Sequence, residues 1–147
     1  MQGIRSSALA VVLACSAVTT YAAHLTKDPL TQLPLPTIAD NAFGNDPTEM
    51  PAATICKSRF HGNFYSLSGG SLDTAVSWYV GALKGFRHIQ SADHAVHAFA
   101  DTQRSIIVIL MGKPGGAANT VAYEKYEPGL SEKTLQGIAK NSLDCTE

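Results

Sequence analysis

From Ser71 to Gly85 apolar residues recur three and four positions apart, at Leu72, Ala75, Val76, Tyr79, Val80 and Leu83. That is the period of one helical face. Ser71 or Asp73 stands where an N-cap is needed and Gly85 where a left-handed residue can stop the helix, so the pattern predicts a helix over about 72–84. Leu130-Ser131-Glu132 predicts a second helix: Ser131 is a good N-cap, Leu130 and Leu135 stand at staple positions, and Leu135, Ile138 and Ala139 form an apolar face. Between the two, residues 86–90, 95–100, 105–111 and 120–126 are short β-prone runs. They are separated by Ala92-Asp93, by 101–104 and by the glycine-rich stretch 112–116, as in an antiparallel meander. A shorter strand is expected at 56–60 or 64–67.

The run Ser105 to Met111 has no polar alternation after its first residue. Such a strand must be central and covered on both faces. The helices are expected to cover one face, and the other falls to the segment preceding the domain, to a second copy of the chain, or to a ligand. The expected fold is α+β, an antiparallel sheet of four to five strands with two helices packed on it.

The N-terminal third has no such period. Residues 24–53 carry five of the seven prolines, which remove backbone donors and fix dihedrals, so this stretch reads as an extended leader before a single domain at 54–147. Ahead of it, Met1 to Ala23 has one basic residue, Arg5, an apolar stretch from Ala8 to Val18, and small residues at Thr20, Ala22 and Ala23. That is the layout of a secretory signal peptide, cleaved after Ala22 or Ala23. A competing reading is the loose lipobox Val12-Leu13-Ala14-Cys15, which would acylate Cys15 and anchor the chain as a lipoprotein. The apolar stretch is too short for a good membrane span, and no later window approaches the length required.

Export changes how the cysteines are read. Cys56 and Cys145 are the two left after cleavage, and in an oxidising compartment an isolated pair is expected to form a disulfide. Closing that loop is worth about 4 kcal/mol in the chain-entropy model. The formal charge of −1 falls to about −2 once Arg5 is removed, and Lys and Arg are not clustered, so nucleic acid is not an expected partner. No sequence motif calls for a cofactor.

Candidate chemistry is sparse. With Ala92-Asp93 as a two-residue hairpin loop, His88 would stand directly opposite His97, close enough for two imidazoles to share a metal ion. One more residue in the loop destroys that pairing, and a wet sheet edge is the plainer home for two histidines. His94 and His97 point to opposite faces of a strand and cannot assist each other there. Gly112-Lys113-Pro114-Gly115-Gly116 lacks the ending and the helix of a phosphate-binding loop. Asp73, His61 and the serines offer no Gly-x-Ser-x-Gly elbow. Tyr123, Tyr126 and Trp78 are candidates for a binding surface, because exposed rings supply contact area at low entropic cost, although half-buried packing explains them equally.

The stretch from Val76 through Trp78-Tyr79 to Leu83 and Gly85-Phe86, with His97 to Asp101 and Arg104 to Val108, resembles small exported bacterial proteins of unassigned function. In those proteins an amphipathic helix leads straight into an antiparallel meander. The resemblance spans residues 72–127 and implies a fold, not an activity. The expected function is a non-catalytic binding or accessory role after export, in the periplasm or outside the cell, toward a protein or small-molecule ligand. The alternative is a small hydrolase or metal-dependent enzyme centred on His88 and His97.

Overall fold

Seven strands and two helices make up the fold, seen in a computed structural model that describes residues 26–36, 42–43, 48–55, 58–68 and 70–140. The strands are β1 (Ala42–Phe43), β2 (Thr48–Ile55), β3 (Ser58–Ser68), β4 (Arg87–Gln90), β5 (Val96–Asp101), β6 (Ile106–Gly112) and β7 (Ala118–Glu127). Helix α1 (Leu72–Ala82) starts where Ser71 Oγ accepts the Thr74 amide at 3.1 Å. Gly85, at φ 86°, turns the chain just beyond its end, a conformation that glycine adopts without a Cβ penalty. Helix α2 (Glu132–Ala139) repeats the N-terminal device, with Ser131 Oγ accepting from the Thr134 amide at 3.1 Å.

All pairings are antiparallel. Strands β3, β7, β6, β5 and β4 lie side by side in that order, and β1 and β2 both pair with the outer edge of β3. The expected α+β sheet is therefore present as five strands, with two segments added at one edge. Both additions begin in the stretch expected to lack regular structure, and β2 runs across the boundary expected at Thr54. Its Pro51 falls inside the register shift between Met50 and Ala53, where a missing backbone donor costs the ladder least. The two alternatives offered for the first strand are one strand, β3, which is long enough to contain Phe60 and Phe64 together.

Strand β6 explains the layering. Ile106, Val108 and Leu110 point to one face, in a cluster with Leu72, Ala75 and Tyr79 of α1 and its C-cap residue Leu83, with Phe99, Val121 and Tyr123, and with Leu33 and Leu35 of the leader. Ile107 points to the other face, in a cluster with Ala98, Ala100, Tyr126 and the α2 side of the molecule, Leu130, Leu135 and Ile138. The helices thus sit on opposite faces, which corrects the expectation that they share one. The leader lies on the same face as α1. The physical reason is that α2 carries its own apolar stripe and must bury it, and the face holding Ile107 is the one that α1 and the leader leave open. Cover ends at Met111, which is 37% exposed.

The leader is held by polar groups as well as by Leu33 and Leu35. Asp28 is wholly buried; its Oδ2 accepts from the Thr31 amide at 2.7 Å and the Thr31 hydroxyl at 2.8 Å. Its Oδ1 accepts from Asn63 Nδ2 at 2.9 Å and from the Tyr65 hydroxyl at 2.7 Å. These bonds tie residues 28–31 to β3. A second tie runs to β7, where the Tyr123 hydroxyl donates to the Pro34 carbonyl at 2.9 Å. That uses its one proton, so the Tyr79 hydroxyl, 2.8 Å away, is the donor in its bond to Tyr123.

The cysteines Cys15, Cys56 and Cys145, and with them the expected disulfide, lie outside the described residues, as does the expected signal segment. Among the described residues no helix is long and apolar enough to cross a membrane.

Asp28→Asn keeps the shape but turns one oxygen into a donor facing donors. Each hydrogen bond to a charged group is worth about 1.5–3 kcal/mol, so urea unfolding of this variant should show a loss of about 3 kcal/mol or more.

Candidate functional site

The predicted histidine pair exists, in a different register. Strands β4 and β5 pair His88 with Phe99 and Gln90 with His97, two residues away from the expected alignment, because the turn between Ser91 and Val96 holds four residues instead of two. A shift of two preserves the face of every side chain. His88 and His97 are therefore diagonal neighbours on the α1 face, with His88 Nε2 3.1 Å from His97 Nδ1.

The turn that sets this register is braced by Asp93, whose carboxylate accepts from the Ser91 hydroxyl and from the Ala95 amide at 3.1 Å. These bonds, that from Ser91 foremost, hold the Asp93 carboxyl below its usual range. His94 lies in the left-handed region at φ 57°, and its carbonyl stands 3.1 Å from His97 Nε2. A carbonyl only accepts, so His97 carries its proton on Nε2 and presents an unprotonated Nδ1; the proton between the two rings then belongs to His88 Nε2. His88 stacks on Phe99 at 4.6 Å, and Phe99 on Tyr79 at 5.5 Å, so the pair is continuous with the core. Burial, and then the neighbouring His97, push the His88 pKa down. His97 itself is buried, and His88 is exposed.

A second constellation was not anticipated. A cleft of about 440 Å³ opens at the end of the β4–β5 pair, lined in part by Lys84, Phe86, Arg87, Asp101, Arg104 and Glu132. Arg87 Nη1 contacts both Glu132 oxygens, at 2.9 and 2.8 Å. Arg104 Nε donates to Asp101 Oδ2, and its guanidinium carbon lies 5.3 Å from the centre of the Phe86 ring. Each guanidinium is thus held through one nitrogen. Its remaining N–H groups, like the Lys84 ammonium, have no partner among the described residues. Burial raises the Asp101 pKa, but the bond and charge of Arg104 and the amides of Gln103 and Arg104 outweigh it and leave the carboxyl below its usual range. Of this cleft only the turn 101–104 is visible in the sequence; that α1, β4 and α2 meet there is set by tertiary structure.

The aromatic candidates are corrected. Tyr123 and Tyr126 are 0% and 3% exposed, so neither belongs to a binding surface. Strand β7 is flanked by β3 and β6 and covered on both faces, and Tyr126 stacks on Phe60 at 5.3 Å. Trp78 is half-buried and packs edge-on against Tyr79 at 4.9 Å, widening the stripe of α1. Residues 113–117 form the β6–β7 connection, one position on from the 112–116 expected.

Glu124 shares a face of β7 with Tyr126, as alternation along the strand implies, and is buried on the α2 side, accepting from the Tyr126 hydroxyl at 2.8 Å. Burial raises its pKa, against the smaller effect of that bond.

Comparison with known proteins finds no matching family model, no matching curated protein and no matching solved structure.

A carboxyl with a raised folded pKa makes folding less favourable above that pKa, and the penalty disappears below its unfolded value. Glu124→Gln, whose amide oxygen still accepts from Tyr126, should therefore raise the midpoint of thermal unfolding at pH 7 and have little effect near pH 4. Equal effects at both pH values would mean that charge burial is not the cause.

Proposed function

We propose that this chain is a non-catalytic binding module acting after export, and that its ligand is a small organic anion held in the cleft between Lys84, Arg87 and Arg104. The observation carrying this reading is the paired state of the two arginines. A guanidinium fixed through one nitrogen by a carboxylate loses less freedom on binding and keeps a planar set of N–H donors, the arrangement that suits a carboxylate. Phe86 and Ala100 add an apolar wall for the body of such a ligand. The acidic partners serve as braces: Asp101 has its pKa lowered, which suits a permanent counter-charge and not a proton donor near neutral pH.

Titration with a panel of acetate, benzoate and inorganic phosphate, followed through the Arg87 and Arg104 Nε–H resonances, tests the reading. Benzoate should shift both resonances saturably and more tightly than phosphate, with affinity falling as salt is raised. Replacing both arginines with glutamine removes charged hydrogen bonds worth about 1.5–3 kcal/mol each, a loss of tenfold or more. Saturable shifts confined to other residues, or an unchanged affinity in the double variant, would overturn it.

A further inference from the structure

The histidine pair carries an inference independent of the cleft. Metal-bound imidazole nitrogens lie about 2.0–2.1 Å from the ion, so two of them on one metal stand about 2.9 Å apart at a right angle and about 3.3 Å apart at the tetrahedral angle. His88 Nε2 and His97 Nδ1, at 3.1 Å, already lie between these limits. The two nitrogens thus stand at a chelating separation, and a turn of the two rings away from the line of their hydrogen bond is what brings both lone pairs onto one ion.

The outer contacts agree with this. His97 Nε2–H donates to the His94 carbonyl, which fixes the tautomer that leaves Nδ1 available. Ligating histidines commonly use their second nitrogen in this way, and the partner orients the ring and raises its basicity. Asp93 holds the turn that presents this carbonyl. His88 is ready in a different sense: its ring is placed by stacking on Phe99 and its exposed side reaches solvent.

We propose that His88 Nε2 and His97 Nδ1 form a two-nitrogen site for a borderline transition-metal dication such as Zn(II) or Cu(II) at the open β4 edge of the sheet. Binding moves the His88 proton from Nε2 to the solvent side at Nδ1, so both imidazoles bind as neutral ligands and the proton stays on the pair. Imidazole donors select these ions over Mg(II) and Ca(II). Among the described residues no third His, Cys, Asp or Glu joins the pair, so the other coordination positions go to water or to an incoming ligand.

The test is Zn(II) titration of the full mature chain labelled with ¹⁵N in its histidines. One equivalent should move His88 Nε2 and His97 Nδ1 to the shifts of metal-bound nitrogen and leave His61 unchanged. His88→Phe, which retains a ring to stack on Phe99, and His97→Phe should each weaken binding by tenfold or more. Asp93→Ala, which frees the turn, should weaken it by about tenfold, the range known for outer contacts. Zinc shifts only at His24, His61 or His94, unchanged affinity in both phenylalanine variants, or no saturable binding below millimolar zinc would each overturn the proposal. The wild-type nitrogen shifts decide the matter even if a variant does not fold.

Discussion

Ile107 and Val108 are adjacent in the chain, face opposite sides of the sheet, and are both 0% exposed. Everything around them answers to that constraint. A strand buried on both faces needs two covering layers, each with its own apolar stripe, and the described residues include two short helices to supply them. Helix α1 is too short to cover its side alone. The leader completes that layer through Leu33 and Leu35, each worth about 1.5–3 kcal/mol if fully withdrawn from water. A proline-rich segment is suited to the task because it loses little conformational entropy on ordering, while its carbonyls still find donors, as Pro34 does at Tyr123. Among the described residues the Asp28 carboxylate is satisfied entirely by neutral donors, four in number, so burying it is compatible with folding only when the leader and β3 come together.

The elements were legible where local chemistry decides them. Ser71 and Ser131 mark helix starts because a hydroxyl there meets an otherwise unpartnered amide, and the unbroken run 106–111 marks a central strand because nothing polar in it can face water. What could not be read depended on contacts between distant segments. That α2 packs opposite α1 depends on which face the leader occupies, and the leader's attachment rests on Asp28 meeting Asn63 and Tyr65, 35 and 37 residues away. The strand β2 was hidden by Pro51, which a register irregularity accommodates. The hairpin register differs from the one its sequence implies because the Ser91–Asp93–Ala95 bonds form a four-residue turn that Ala92-Asp93 alone does not announce. The difference is an even number of residues, so the histidines still meet.

The same distinction applies to the two candidate sites. The histidine pair was visible because it is built within one hairpin, its residues nine apart. The cationic cleft was not, because Arg87 reaches Glu132 across 45 residues and Lys84 arrives from the end of α1. Tyr123 and Tyr126 failed as surface candidates for a related reason: alternation along a strand tells which residues share a face and not whether that face is dry. Both sites lie toward the β4 side of the sheet, away from the edge that β1 and β2 close. The leader and its buried carboxylate stabilise the opposite half and leave this one open to ligands.

The central claim is that residues 26–36 are part of the core and not an appendage. Hydrogen exchange on the chain from residue 24 onward, compared with the same chain lacking residues 24–36, tests it most directly. The account predicts that the deletion abolishes slow exchange at the amides of Val108, Val121 and Tyr123 and creates a dye-binding apolar surface, with α2 less affected. Unchanged protection in β6 and β7, in a truncated chain that stays soluble and binds no dye, would contradict it.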